Sequence, residues 1–332
     1  MPLLNVTVLK MKKDDKTNSI TERNPIVQRK NPWPHRIFIF ILILLGIAIV
    51  FSAIFFPINS YLSRKVSIKM VKEAWSEYNY EKVYDLSKQF LEENPYNNTV
   101  LTYYSYACFF LSQSQTENQQ SQEYLNECIN NLRIAIYDAS KELLPQLYYM
   151  LGRAYFYKSS FSAHYYADLA IKYLLLARNE NYDAVDIPEY LGLSYASLGM
   201  TKESISSFTE ALLVRESDSL LLSIAEQYHK LGENNAAKQY LYRITQNSKN
   251  DEVIVSSLLL LANIYLEEKN YEEAEIEFNQ VLEKNPDSAD AYFGLGLILE
   301  QQGNIVKARA QWRQARKIQP NHSGALQKLS EY

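Results

Sequence analysis

Residues Ala289–Pro320 read ADAYFGLGLILEQQGNIVKARAQWRQARKIQP, and the spacing of their small and large apolar side chains decides the fold. With Ala289 as position 1, Tyr292 stands at 4, Leu295 at 7, Gly296 at 8, Gly303 at 15, Ala308 at 20, Trp312 at 24, Ala315 at 27 and Pro320 at 32. The preceding 34 residues, from Val255, repeat the scheme: Leu258, Leu261, Ala262, Tyr265, Ala274, Phe278, Val281 and Pro286 fall at 4, 7, 8, 11, 20, 24, 27 and 32. Each unit therefore holds two helix-length apolar periods with a turn between them. Small residues at 8 and 20 let the two helices approach closely, and large ones at 4, 7, 11 and 24 fill the gaps between hairpins. Glycine at 15 accepts a positive φ without steric cost. Proline at 32 ends the second helix. No such hairpin buries its apolar face alone, so neighbours must stack into a superhelix.

Looser copies precede these two. From Val185, Leu191, Gly192, Tyr195, Gly199, Phe208 and Ala211 fit, with Ser204 in place of the small apolar residue at 20. From Asp218, Ala225, Tyr228, Gly232, Ala237 and Ile244 fit, and about three extra residues follow before Val255. From Pro145, Tyr148, Leu151, Gly152 and Tyr155 mark a first helix, with a long turn at Lys158–Tyr165. From Asn98, Leu101, Tyr104, Ala107 and Cys108 do the same, and a polar insertion, Ser112–Gln122, precedes a second helix at Glu123–Asp138. The first unit begins near Arg64, with Val83, Phe90 and Pro95 as its marks, and Ser323–Ser330 reads as a capping helix. These positions resemble the tetratricopeptide repeat family over about four-fifths of the chain. The expected architecture is an all-α superhelical solenoid of about seven helix-turn-helix repeats over residues 64–332.

Upstream, Ile37–Phe56 reads IFIFILILLGIAIVFSAIFF, 20 residues without a charge. Such a run is long enough to cross a bilayer core of about 30 Å. It is longer than a signal-peptide core and starts after 36 residues. The expectation is one transmembrane helix over residues 37–56 ahead of the solenoid. Residues 1–36 carry 8 basic and 3 acidic groups, and the remainder carries 26 and 35, a net of −9. By the positive-inside rule this places a basic, disordered tail (1–36) in the cytoplasm and the repeat body outside it. The corresponding localisation is a bacterial inner membrane, single-pass, with a periplasmic body.

The resemblance implies a binding surface. In this family the concave face is lined by first-helix positions 2, 5, 9, 12 and 13. In the unit from Asn98 these are Thr99, Thr102, Tyr106, Phe109 and Phe110, and in the unit from Pro145 Gln146, Tyr149, Arg153, Phe156 and Tyr157. Later units offer Asp186, Glu189, Glu226, Asn263, Glu267, Asp290 and Glu300. The groove is thus aromatic toward the N-terminus and acidic toward the C-terminus. Tyr106, Phe109, Phe110, Tyr149, Arg153, Phe156 and Tyr157 are the candidate partner-binding residues; an aromatic groove suits an extended peptide or an amphipathic helix. The competing reading is that these rings pack as core, as aromatic stripes at helical spacing commonly do. The Lys/Asn/Arg clamp by which some members hold acidic C-terminal tails has no match here, since Asn263 stands without the basic groups around it.

No chemistry-bearing motif competes with a binding role. There is no Walker loop, no Ser/His/Asp order and no metal pair among four scattered histidines (His35, His164, His229, His322), and Gly294-x-Gly296 lies inside a helix. Neither a catalytic residue, a cofactor nor a metal is expected. Nucleic acid is disfavoured by the net −9 of the body. Cys108 reads as a buried free thiol, with a Cys108–Cys128 bridge as the alternative in an exported body. The function expected is a membrane-anchored scaffold that binds other proteins of a membrane-associated complex, with no small-molecule substrate. Its layout resembles membrane-anchored repeat proteins of spirochaetes, including periplasmic flagellar-collar components, which implies assembly of an envelope complex. A cytosol-facing receptor and a regulatory subunit of a membrane enzyme are the alternatives.

Overall fold

The computed structural model describes residues 33–62, 66–161 and 166–331. The chain divides into two compact units, Met1–Arg64 and Lys65–Tyr332. The tail expected to be disordered lies outside the described residues up to the start of α1 (Trp33–Leu62), and so does His164.

The apolar run forms most of α1, where large side chains from Phe38 to Phe51 are exposed. No helix among the described residues, however, is long and apolar enough to cross a membrane. This finding overturns the expected single-pass inner-membrane placement, with its cytoplasmic N-terminus and periplasmic body.

In the second unit the described helices pair into seven hairpins. They are α2 (Ile68–Ser76) with α3 (Tyr80–Glu93), α4 (Asn98–Ser114) with α5 (Asn118–Tyr137), α6 (Leu144–Phe161) with α7 (Ala167–Asn179), and α8 (Ile187–Ser197) with α9 (Thr201–Val214). α10 (Asp218–Lys230) with α11 (Asn234–Asn247), α12 (Asp251–Glu267) with α13 (Tyr271–Lys284), and α14 (Ala289–Gln301) with α15 (Ile305–Ile318) complete them, and α16 (Ser323–Glu331) caps the end. Side chains written into the sequence start many of these helices. Asn97, Ser217 and Ser288 each accept a hydrogen bond from a backbone N–H three residues on, a cap worth about 1 kcal/mol.

The packing follows the repeat register. A Cβ added at Gly296 would meet the indole of Trp312 at 2.2 Å, and one at Gly192 would meet the ring of Phe208 at 2.4 Å. Position 8 is therefore the floor on which the aromatic at position 24 lies. Phe208, Phe278 and Trp312 are fully buried, each contributing roughly 1.5–3 kcal/mol through removal from water. Ser204 keeps the pattern by different means, donating from Oγ to the carbonyl of Gly192 at 2.8 Å while fully buried. Gly199, Gly232 and Gly303 at position 15 take φ of +71°, +81° and +77°. Lys269 and Tyr78 stand at the same position and are driven to +62° and +55°.

Two insertions take an unexpected form. Ser112–Gln122 is not a loop: α4 runs on to Ser114 and α5 starts at Asn118, so most of it lengthens the two helices. The joint is closed by Ser121 Oγ donating to the Ser112 carbonyl at 2.8 Å in a buried setting. The extra residues before Val255 likewise extend α12 at its N-terminus to Asp251, with Asn250 as cap.

The core is a string of local clusters along the stack, as a solenoid requires. First helices of successive hairpins touch one another, α2 with α4, α4 with α6, α6 with α8, α10 with α12 and α12 with α14, and second helices make no comparable contact. The layer of first helices is the tighter one, and it is the layer that the repeat register assigns to the concave side.

Candidate functional site

The N-terminal half of the concave layer carries a continuous path of aromatic rings. Trp75 on α2 lies 6.2 Å from Phe110, Phe110 lies 5.7 Å from Phe109, and Phe109 lies 5.5 Å from Tyr157. Tyr157 is 5.3 Å from Phe156, which is 4.9 Å from Tyr190. The path thus crosses α2, α4, α6 and α8. Its edge-to-face and tilted contacts suit ring quadrupoles and hold the rings rigid.

Two clefts open along this path. The first, of about 330 Å³, is lined by Trp75, Thr99, Thr102, Tyr103, Tyr106 and Gln146 with Leu143. None of these side chains is charged. Burial pushes the Tyr106 phenol well above its ordinary value, so it stays a neutral hydroxyl. The second cleft, of about 450 Å³, lies between α6, α8 and α9. Phe156, Tyr157, Tyr190, Leu193 and Val214 give it apolar walls, and Asp186, Glu189 and Arg215 give it charge. Glu189 is paired with Arg215 at 3.1 Å. Asp186 accepts from the Tyr149 hydroxyl at 2.7 Å.

The predicted residues separate into two groups. Tyr106, Phe110, Arg153, Phe156 and Tyr157 are half-buried on this layer. Phe109, 1% exposed, and Tyr149, 9% exposed, belong to the core beneath it. For these two, core packing is the right reading. Arg153 links the groups: its guanidinium lies 4.8 Å from the Phe109 ring and 5.4 Å from those of Tyr149 and Tyr190. Three ring faces thereby share the cost of half-burying one cation. Trp75, Tyr103 and Tyr190 were not foreseen. Trp75 had a signal, because counting from Arg64 puts it at groove position 12.

The acidic residues of the C-terminal half are mostly engaged at home. Asp290 meets His322 at 3.1 Å, Glu300 meets Lys328 at 2.8 Å, and Glu267 lies 3.7 Å from His229. Glu226 has surrounding protein that raises its carboxyl above the usual range. Cys108 and Cys128 are both buried free thiols, not a bridged pair, and burial pushes both thiols up. Among the described residues no group of three or more His, Cys, Asp or Glu is placed to hold a metal ion.

A family model described as the tetratricopeptide repeat protein 21 C-terminal ARM domain matches residues 176–327. No match is found among curated proteins. Among solved structures, the C-terminal part of a TPR repeat-containing protein from Cytophaga hutchinsonii is similar with a TM-score of 0.58 at 12% identity, over 79% of this chain and 99% of that one. The apo form of the quorum sensor NprR from B. thuringiensis is similar with a TM-score of 0.56 at 15% identity, over 79% and 77%. Those likenesses speak for the fold alone. With the residue register and the seven stacked hairpins, they show that the repeat body has the fold of a tetratricopeptide-type helical solenoid.

Proposed function

We propose that the repeat body, residues 64–332, is a non-catalytic scaffold that holds partner proteins along its concave layer, chiefly on α2, α4, α6 and α8. The observation that carries this is the pair of open clefts on that layer, with aromatic walls from Trp75, Tyr103 and Tyr106 in one and Phe156, Tyr157 and Tyr190 in the other. Rigid aromatic surface is ordered before binding, so a partner gains apolar contact there with little entropy to lose. The partner class is protein. The fold speaks for protein binding, and it gives no support to an envelope-complex or flagellar-collar role in particular.

The test is site-specific photo-crosslinking of the full chain in cells. A photoreactive residue at Thr102 or Leu193 is expected to trap one partner, whereas one at Ile276 or Val306, both exposed on second helices, is expected to trap none. Crosslinks to that same partner from Ile276 and Val306, and not from Thr102 and Leu193, would reverse the assignment of the binding face.

A further inference from the structure

We infer that the first cleft, between α2, α4 and α6, is a binding site for a small trimethylammonium compound with a short neutral tail, the chemistry that choline represents. This goes beyond the scaffold reading, since the ligand is a free small molecule and needs no partner on the layer. Three rings line the cleft: Trp75 from α2, and Tyr103 and Tyr106 from successive turns of α4. The indole plane meets Tyr103 at 61° with centroids 5.5 Å apart, and Tyr106 at 88° with centroids 5.9 Å apart. A flat ligand ring stacked on the indole would stand steeply to both tyrosines, whereas a rounded group can touch all three. At about 330 Å³ the cleft lies at the small end of ligand sites, which run from about 300 to 1,000 Å³.

The charge of the ligand follows from what the lining holds. Aromatic faces carry negative potential and attract a cation, indole most strongly. None of the lining side chains is charged. A primary ammonium would surrender its water there with no carboxylate to replace it, which costs heavily. A quaternary ammonium makes no hydrogen bonds and spreads its charge over methyl groups, so it gives up little and keeps the attraction of the rings. The net of −9 over residues 37–332 raises the local concentration of cations at longer range. Thr99, Thr102 and Gln146 add hydroxyl and amide groups to the lining. Thr102 already donates to the carbonyl of Asn98 at 2.8 Å, so its oxygen is left to accept. These groups suit a hydroxyl tail, and the lining offers no cation to hold a carboxylate one.

The experiment is isothermal titration calorimetry of the full-length protein with choline, with its neutral carbon isostere dimethylbutanol, and with ethanolamine. Choline is expected to saturate a single site, the isostere to bind about tenfold more weakly, and ethanolamine not to saturate. Trp75→Leu, which keeps apolar volume and removes the indole, should weaken choline about tenfold and the isostere much less. Thr99→Lys places a like charge on the cleft from an exposed position, and it should weaken choline while sparing the isostere. Circular dichroism verifies folding, and Thr99→Lys keeps the site testable if Trp75→Leu does not fold. Choline binding no tighter than the isostere, indole binding tighter than choline, or choline binding untouched by both variants would each overturn the inference. So would a failure to saturate by about 10 mM, already weak for a ligand of this size. A trimethyl-lysine peptide that binds where choline does not would overturn it as well, because the group would then arrive on a protein. The crosslinking above reads out the scaffold role without any small molecule, so failure here and failure there are distinct results.

Discussion

Phe109 and Tyr106 are three residues apart on α4, and truncating each should have opposite consequences. Phe109 is 1% exposed and packs on Phe110, Tyr157 and the guanidinium of Arg153. Phe109→Ala removes a buried ring, leaves a cavity and strips one ring face from a half-buried cation. Phe-to-Ala losses in cores run to about 3–5 kcal/mol. For a body of this size that corresponds to a melting temperature lower by roughly 6–20 °C. Tyr106 is half-buried at the wall of the first cleft, and its edge-to-face partner is Trp75 at 5.9 Å. Losing that pair costs about 0.5–1.5 kcal/mol, and partial burial brings the total to about 1–2 kcal/mol. The assay is urea and thermal unfolding followed at 222 nm, with partner retention measured well below either midpoint. Tyr106→Ala should lose retention and keep most of its stability. Phe109→Ala should lose stability, and Phe109→Leu, which keeps apolar volume, should recover most of it. Equal midpoints for Phe109→Ala and Tyr106→Ala would refute the division of this helix into a core face and a binding face.

Three further outcomes follow from the register. Lys269→Gly should raise the urea midpoint by the equivalent of about 0.5–1 kcal/mol, because a left-handed φ costs an ordinary residue about 1–2 kcal/mol and glycine's extra chain entropy returns only part of that; an unchanged or lower midpoint contradicts it. Gly296→Ala should destabilise by about 1–3 kcal/mol or more, since its Cβ would stand 2.2 Å from Nε1 of a fully buried Trp312, and an unaltered melting curve would show that the hairpin gives way freely. Burial raises the carboxyl of Glu277 above its ordinary 4.5, so the folded chain holds that proton to higher pH than the unfolded chain. Its ionised form therefore opposes folding at neutral pH, and the stability contributed by the protonated form is lost as pH rises through the folded value. Glu277→Gln should melt higher than the parent at pH 7 and lose that advantage below pH 4.5; a constant difference across that range would point to packing instead.

The hairpins were legible because their rules are local and steric. A residue at position 8 meets the residue at position 24 of its own hairpin, so Gly296 with Trp312 and Gly192 with Phe208 could be paired by counting alone. Even the exception obeyed the count: Ser204 occupies the small-residue slot and returns a hydrogen bond to the carbonyl at position 8. The insertion at Ser112–Gln122 was misjudged because serine, glutamine and asparagine serve equally in turns and on solvated helix faces. What decides it is the buried bond from Ser121 to the Ser112 carbonyl, a contact between two helices that no one-dimensional period encodes. The membrane placement rested on the apolar run alone, and no helix among the described residues is long and apolar enough to cross a membrane.

The binding face was half legible, and the reason lies between repeats. Phe109 and Phe156 occupy the same position 12 in consecutive units, yet one is buried and the other half-exposed. The position fixes the direction of a side chain relative to its own helix. Its exposure depends on what the next unit lays across it. Phe109 is covered by Tyr157 and by Arg153 from α6. Phe156 faces α8, where Tyr190 meets it edge-on and the neighbouring Asp186 and Glu189 line the second cleft. A bulky cationic side chain at position 9 of one unit therefore closes position 12 of the unit before it, and short acidic side chains at positions 2 and 5 leave it open. On this argument Arg153→Ala opens a third gap on the face by uncovering Phe109, and an apolar dye that fluoresces on exposed hydrophobic surface should bind the folded variant more strongly than the parent. Unchanged dye binding would mean that Tyr157 alone covers Phe109, and that Arg153 matters to the charge of the groove and not to its shape.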